Sequence, residues 1–284
     1  MKVTLGTTTW TEHPVLIDGA SRPVTLAEYA AYFPVVEVDT FFYAIPNTAT
    51  VAQWLTNVPA SFQFLIKANR VMTRHQGPDD DLPLEEAFAR YRDAVAPLVA
   101  TGQLKAVLFQ FPPYFTAIPE NIDYLQTVRH LMGGLPVAVE FRHASWLAPG
   151  VAKSTADFCA DLGLTLVAAD EPHQLTTSVP FYLATTTPSL AILRLHGRNK
   201  AGWNHPGPNW RRERTNYRYS VDELKQFQVA IEQLTPAPAE VCVIFNNNSN
   251  RDAAPNALQL QNLMGIHFSG LNPQPPKQDR KSVV

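Results

Sequence analysis

Short runs of β-branched and other apolar residues recur along the chain, and each ends in polar groups. The runs are Val3–Gly6, Val35–Asp39, Phe62–Lys67, Lys105–Gln110, Val137–Glu140, Thr165–Ala169, Ala191–Leu195 and Glu240–Phe245. Their length and composition predict buried strands. Between them the apolar spacing becomes helical. Thr25–Phe33 carries Thr25 as an N-cap, and Asn47–Val58 places Val51, Trp54 and Leu55 on one face. A long helix starts at Pro83 and runs to about Ala100. Pro119–Leu131 is closed by Gly133-Gly134, and further helices cover Ser145–Leu162, Val221–Leu234 and Ala254–Met264. Residues 69–82 and 197–219 read as loops, 171–189 is ambiguous, and 272–284 reads as a disordered, basic, Pro-rich tail. Strands that alternate with helices over roughly 265 residues are the pattern of a single TIM-like (β/α)8 barrel, occupying residues 1–271. An open doubly wound sheet would want a Gly-rich phosphate loop after the first strand, and Gly6-Thr7-Thr8-Thr9 does not supply one.

In a barrel the inward side chains converge at the carboxyl ends of the strands, where chemistry sits. Alternation then lists the groups expected at that mouth. They are Glu37 and Asp39, Lys67, Gln110, Glu140 and Arg142, Asp170 (with Leu166 and Ala168), Arg194 and His196, and Asn246. Loops behind the strand ends add Trp10, Tyr43, His143, Arg198 and Asn247. Carboxylates interleaved with Lys and Arg suit an anionic or richly hydroxylated substrate, with a carboxylate left for proton transfer. Glu37, Asp39, Glu140 and Asp170 are the candidate general acids or bases, with His196 beside them. Lys67, Arg142, Arg194 and Arg198 are the candidate anion holders. The segments His196-Gly197-Arg198-Asn199 and Asn246-Asn247-Asn248-Ser249-Asn250 follow the seventh and eighth strands, where many barrels bind phosphate.

Composition narrows the alternatives. The 284 residues hold 23 basic and 25 acidic side chains, so no global field favours nucleic acid or an anionic membrane. Cys159 and Cys242 lie in apolar segments and read as buried small hydrophobes. No signal peptide and no apolar run of membrane-spanning length are present, so a soluble, cytoplasmic protein is expected. No cofactor is expected. A divalent metal could draw on Glu37, Asp39, Glu140, His143, Asp170 and His196, but the interleaved Lys and Arg would compete with it. The 197–219 loop interleaves Trp203, Trp210, Tyr217 and Tyr219 with Arg198, Lys200, Arg211, Arg212, Arg214 and Arg218. That composition reads as a lid over the mouth, or as a platform for nucleic acid.

Several blocks together resemble the YecE-like family, the domain of unknown function 72. They are Glu37-Val38-Asp39-Thr40-Phe41-Phe42-Tyr43-Ala44-Ile45-Pro46, Phe64-Leu65-Ile66-Lys67-Ala68, Leu108-Phe109-Gln110-Phe111-Pro112-Pro113, Val139-Glu140-Phe141-Arg142-His143 with Ser145-Trp146, Arg194-Leu195-His196-Gly197-Arg198, Tyr217-Arg218-Tyr219-Ser220 and Phe245-Asn246-Asn247. They keep the family's order over residues 3–267. The resemblance implies a TIM-like barrel and brings no established activity or catalytic residues. One departure stands out. Members often begin Gly-x-Ser-Gly-Trp, where this chain has Gly6-Thr7-Thr8-Thr9-Trp10. The leading expectation is an enzyme acting on a small anionic substrate, with phosphate-ester or sugar-phosphate chemistry. The alternatives are a non-catalytic nucleic-acid or nucleotide binder using residues 197–219, and a small-ligand sensor on an inert barrel.

Overall fold

The computed structural model describes residues 1–75, 82–172, 178–204 and 210–274. Eight strands form one sheet: β1 (Lys2–Thr7), β2 (Val35–Val38), β3 (Gln63–Lys67), β4 (Leu104–Gln110), β5 (Val137–Glu140), β6 (Leu164–Asp170), β7 (Leu190–Leu195) and β8 (Glu240–Phe245). Neighbours pair in parallel in the order β1-β8-β7-β6-β5-β4-β3-β2. β1 meets β2 through a bridge from Thr8 to Glu37 and a hydrogen bond from the Thr9 amide to the Glu37 carbonyl at 2.9 Å, so the barrel is nearly closed. Gly6 makes this seam possible. A Cβ there would stand 2.2 Å from the Val35 carbonyl oxygen, so only glycine lets the strands approach.

Helices α1 (Leu26–Tyr29), α2 (Thr48–Leu55), α3 (Leu84–Ala100), α4 (Pro119–Met132) and α5 (Ala152–Asp161) surround the strands. Next come α6 (Lys200–Asn204), α7 (Trp210–Arg214), α8 (Val221–Glu232) and α9 (Ala253–Leu263). Local capping sets their starts. Thr25 and Ser220 each close a capping box, with Glu28 and Glu223, and Asn47 caps α2. The expected helix 145–162 is a 3-10 turn (Ala144–Trp146) followed by α5, with Pro149 between them. The 197–219 loop holds the short helices α6 and α7, packed together through Gly202. A Cβ on Gly202 would stand 2.4 Å from the Glu213 backbone.

The core has two shells. The outer shell joins strands to helices and is rich in aromatics, such as the stack of Phe115, Trp146, Phe141 and Phe111. The inner shell is small: Val35, Leu65, Leu108, Ala138, Val167, Ile192 and Ile244 among others. It shows which face of each strand points into the barrel. Cys159 and Cys242 are buried free thiols, as expected. Asn272 donates to the carbonyls of Ala27 and Asn57 and its amide bonds Ala30, which ties the chain back to the barrel. The rest of the expected tail, 275–284, lies outside the described residues.

Candidate active site

Inward phase follows the sequence expectation on β2, β3, β4, β5, β7 and β8. Their ends bring Glu37, Asp39, Lys67, Gln110, Glu140, Arg142, Arg194, His196 and Asn246 to one mouth. Arg194 is the hub and is fully buried. Its Nε donates to Glu37 Oε2 at 2.7 Å, and its Nη2 donates to Glu37 Oε1. Its Nη1 donates to Glu140 and, at 3.1 Å, to Gln110 Oε1. Arg142 continues the network. It donates to Glu140 Oε1 at 3.2 Å, and its Nε lies 2.8 Å from Glu171 Oε1 as an ion pair without hydrogen-bond alignment. Opposed charges held this closely satisfy one another where water cannot.

His196 is neutral in this setting. Burial pushes its imidazole down to about 4, aided by Arg194 and Arg142 and opposed by Glu140. The Asn246 amide lies 2.8 Å from Nδ1 and Glu140 lies 3.1 Å from Nε2. These partners assign an Nδ1 that accepts and an Nε2–H that donates. Glu140 sits well below the usual carboxylate range; burial opposes this, but Arg194 and His196 outweigh it. Glu37 is pushed upward by burial against the pull of Arg194, with Asp39 beside it adding repulsion. Asp39 is held below its ordinary value, because Lys67 and Arg194 outweigh the effect of burial. Its Oδ1 is buried without a hydrogen-bond partner, with the Lys67 ammonium 4.0 Å away.

A family profile described as "Protein of unknown function DUF72" matches residues 4–280. The chain belongs to the DUF72 family. Its relatives include the UPF0759 protein YunF of Bacillus subtilis (strain 168), 38% identical over 280 residues, covering 95% of this chain and 97% of that one. A DUF72 crystal structure from Enterococcus faecalis V583 shares 38% identity over 96% of this chain and 99% of its own, with a TM-score of 0.90. One from Thermotoga maritima MSB8 shares 28% identity over 94% and 100%, with a TM-score of 0.78. SacUVDE, 8% identical with a TM-score of 0.54 over 93% and 98%, is alike in fold alone.

In this DUF72 chain β6 reverses the expected phase. Val167 faces the barrel interior, while Leu166 and Ala168 face the helices. Asp170 therefore leaves the mouth. It receives two donor nitrogens of Arg198, at 2.7–3.0 Å, and the Tyr219 hydroxyl at 2.8 Å. Arg198 also reaches Glu223. The residue that β6 does send inward is Glu171, which alternation from Asp170 had passed over. Its carboxyl is raised to about 7 by burial, opposed by Arg142 and reinforced by Glu140.

Other expected ligand holders have structural duties. The Gly197 amide donates to the Tyr219 hydroxyl at 2.8 Å. Gly197, at φ +93°, is a glycine because a Cβ would meet Tyr217 at 2.5 Å, so close phosphate approach is not what requires it. Asn247 is buried and donates to the Tyr217 carbonyl and to Asn256. His143 caps the turn after β5 by accepting from the Ser145 amide at 3.2 Å. Trp10 packs edge-on against Trp54. Tyr43 stands at the mouth's rim and is 61% exposed.

Above the network lies a cavity of about 510 Å³. Its charged walls are Lys67, Arg142, Arg214 and Asp39, and His75, His196, Trp203 and Asn246 also line it. Arg214 and Trp203 come from the seventh loop, which folds over the opening. The guanidinium carbons of Arg142 and Arg214 lie 5.0 and 4.7 Å from the Trp203 ring centre. Ligand atoms of Glu140, Glu171 and His196 fall within 4.8 Å of one another, a spacing a metal ion could use. Arg142 and Arg194 already occupy that space with positive charge, so the donor set fits guanidinium better than a cation.

Proposed function

We propose that this DUF72 protein is an enzyme that binds a small anionic substrate in the barrel mouth and uses a carboxylate for proton transfer. The observation that carries this reading is the lining of the 510 Å³ cavity, where Lys67, Arg142 and Arg214 face Asp39 as the one carboxylate among the described residues. The volume suits a small molecule. The anion holders of this reading are the cations that line the cavity, Lys67, Arg142 and Arg214; Arg194 and Arg198 do not line it.

Asp39 is the base of this reading. Its side chain retains 29% exposure, it lines the cavity, and its depressed carboxyl is ionised at neutral pH. Glu37 and Glu140 fix Arg194, and Gln110 and Asn246 orient Arg194 and His196. Trp203 and Tyr219 of the seventh loop are buried, so their rings are not laid out for stacking on nucleic-acid bases. That favours the lid reading of the loop over the platform.

The test combines thermal shift against phosphorylated and carboxylated metabolites with turnover of whichever compound stabilises the fold. Asp39→Asn is expected to keep the shift and to lose turnover by 10²-fold or more, the scale of general-base catalysis. If no anion raises the melting temperature at millimolar concentration, or Asp39→Asn turns over like the wild type, the proposal fails.

A further inference from the structure

The mouth has two lobes. The cavity of about 510 Å³ is lined from the ends of β2, β3, β4, β5, β7 and β8 and the loops behind them. A second cavity, of about 790 Å³, adjoins it and is lined mainly from the loops that follow β1, β2 and β8. Asp39 and Asn246 belong to both. Around the nearly closed ring of eight strands, β1 and β5 are four strands apart in either direction. The loop after β1 and Arg142 after β5 therefore stand on opposite sides of the opening, with Asp39 at the junction of the two lobes. The Asp39 side chain keeps 29% exposure although its Oδ1 is buried.

The second lobe is polar. Hydroxyl and amide groups of Thr11, Thr40, Asn248 and Ser249 line it, and they can donate to or accept from a hydroxylated ligand. Three arginines also line it. Arg22 is paired with Glu28 in two hydrogen bonds. Arg212, from α7, and Arg251, from the loop after β8, are exposed and form no ion pair among the described residues. Apart from Asp39, the lobe has one acid, Glu12, and it accepts from the Asn248 amide. Guanidinium groups without a carboxylate, at the edge of a polar cavity, suit a phosphate or carboxylate. Lys67 and Arg142 offer the same chemistry across the junction, in the first lobe.

We infer that the substrate of this mouth carries two anionic groups and lies across Asp39. One anion meets Lys67 and Arg142 in the first lobe. The other meets Arg212 and Arg251 in the second, and a polar, hydroxylated linker joins them. This rests on the reading of the mouth as the substrate site, and it names the substrate class: a sugar or polyol bearing two phosphate or carboxylate groups. Asp39 then faces the middle of the substrate rather than its end. A singly charged substrate would fill the first lobe and leave Arg212 and Arg251 without an anion.

Titration calorimetry of the full chain with ethylene glycol, diethylene glycol and tetraethylene glycol bisphosphates, each against its monophosphate, tests it. The bisphosphate whose length matches the span should bind about tenfold more tightly than its monophosphate, the return on one charge-assisted arginine contact. Arg212→Gln combined with Arg251→Gln should remove that advantage and leave monophosphate affinity unchanged. Both arginines are exposed, so the urea midpoint, measured alongside, should stay at the wild-type value. Lys67→Met should weaken both members of the pair. Arg22→Gln removes a charge from the same lobe but from an arginine already paired, so the advantage should survive it. Equal affinities within every pair would overturn the inference and leave the first anion site standing. An advantage that survives the double variant would overturn it by placing the second anion elsewhere. An advantage lost equally in Arg22→Gln would overturn it in favour of a general charge effect. Monophosphate affinity unmoved by Lys67→Met would overturn the placement of the first anion. Binding of none of the compounds would overturn both the inference and the site reading.

Discussion

Replacing Arg194 by methionine should destabilise the fold in a way that acid reverses. Arg194 is fully buried and neutralises Glu37 and Glu140, which are also fully buried. Methionine approximates its stem but returns no charge and no donors. Two carboxylates are then left in a dry site, with Arg142 on Glu140 as the remaining arginine contact. Removing one partner of a buried ion pair costs about 3–5 kcal/mol at neutral pH. That is a large part of the roughly 5–15 kcal/mol a domain has.

The sign of the pH dependence follows from the carboxylates. In the wild type, Glu140 is held below its unfolded value, so the stability it lends is present above about 4.5 and is lost as pH falls through the folded value. In the variant both carboxylates lose their counter-charge: Glu37, already raised to about 7 by burial, rises further, and Glu140 moves from below to above its unfolded value. The folded variant then binds protons that the unfolded chain has released. Its stability should recover on acidification from pH 8 to 5, with a slope approaching 1.4 kcal/mol per pH unit for each carboxyl in its window. Urea denaturation at pH 5, 6, 7 and 8 reads this directly. Adding Glu37→Gln and Glu140→Gln to Arg194→Met removes the buried charges and should restore most of the loss at pH 8. A single variant with the wild-type midpoint at pH 8, or a loss that does not change with pH, would refute the account of Arg194 as the buried counter-ion.

Three further outcomes are expected. Thr9 sits at φ +59° with a buried hydroxyl that has no partner, at the position where family members often carry glycine. Thr9→Gly should therefore raise the urea midpoint, since relief of left-handed strain of about 1–2 kcal/mol exceeds the ~0.5–1 kcal/mol entropic cost of glycine. A fall in midpoint would show that the strain is not real. Gly6→Ala must push β1 off the Val35 carbonyl at the barrel seam, and should cost about 3 kcal/mol or more, seen as a lowered melting temperature. Glu171, raised to about 7, lies against Arg142, so an anion that draws on Arg142 should be accompanied by proton uptake at Glu171 when bound above pH 7. Calorimetry in two buffers of different ionisation enthalpy counts the proton, and Glu171→Gln should abolish the uptake.

The fold was legible because its strands are short and their ends are punctuated. Helix starts were equally readable where a side chain does the capping, as at Thr25 and Asn47. The phase of a strand was legible only where polar residues mark one face. On β7 the order Ile192, Arg194, His196 puts every polar group on the same side, and the structure places them there. On β6 the run Leu164 to Ala169 is apolar on both faces apart from Thr165, so nothing in it sets the phase and the inward expectation for Asp170 rests on no marked face. A shift of one residue exchanges the two faces of a strand. That exchange moved Asp170 out to Arg198 and Tyr219 and brought Glu171 into the mouth.

Saturation of the charges could not be read from the sequence at all. Alternation says which face a guanidinium takes and nothing about how many carboxylates reach it. Arg194 and Arg218 are alike as sequence, yet Arg194 is enclosed by Glu37 and Glu140 while Arg218 lies at the surface, 3.6 Å from Asp252. The difference lies in strand order, which brings the ends of β2, β5 and β7 to a common centre. A buried cluster of this kind fixes the positions of its members, because moving any one of them exposes an uncompensated charge. Rigidity at the base of the mouth therefore follows from the same pairing that takes Arg194 away from any ligand. The groups still able to meet a substrate are those one layer higher, Lys67 at the last position of β3 and Asp39, Arg142 and Arg214 beyond the strands.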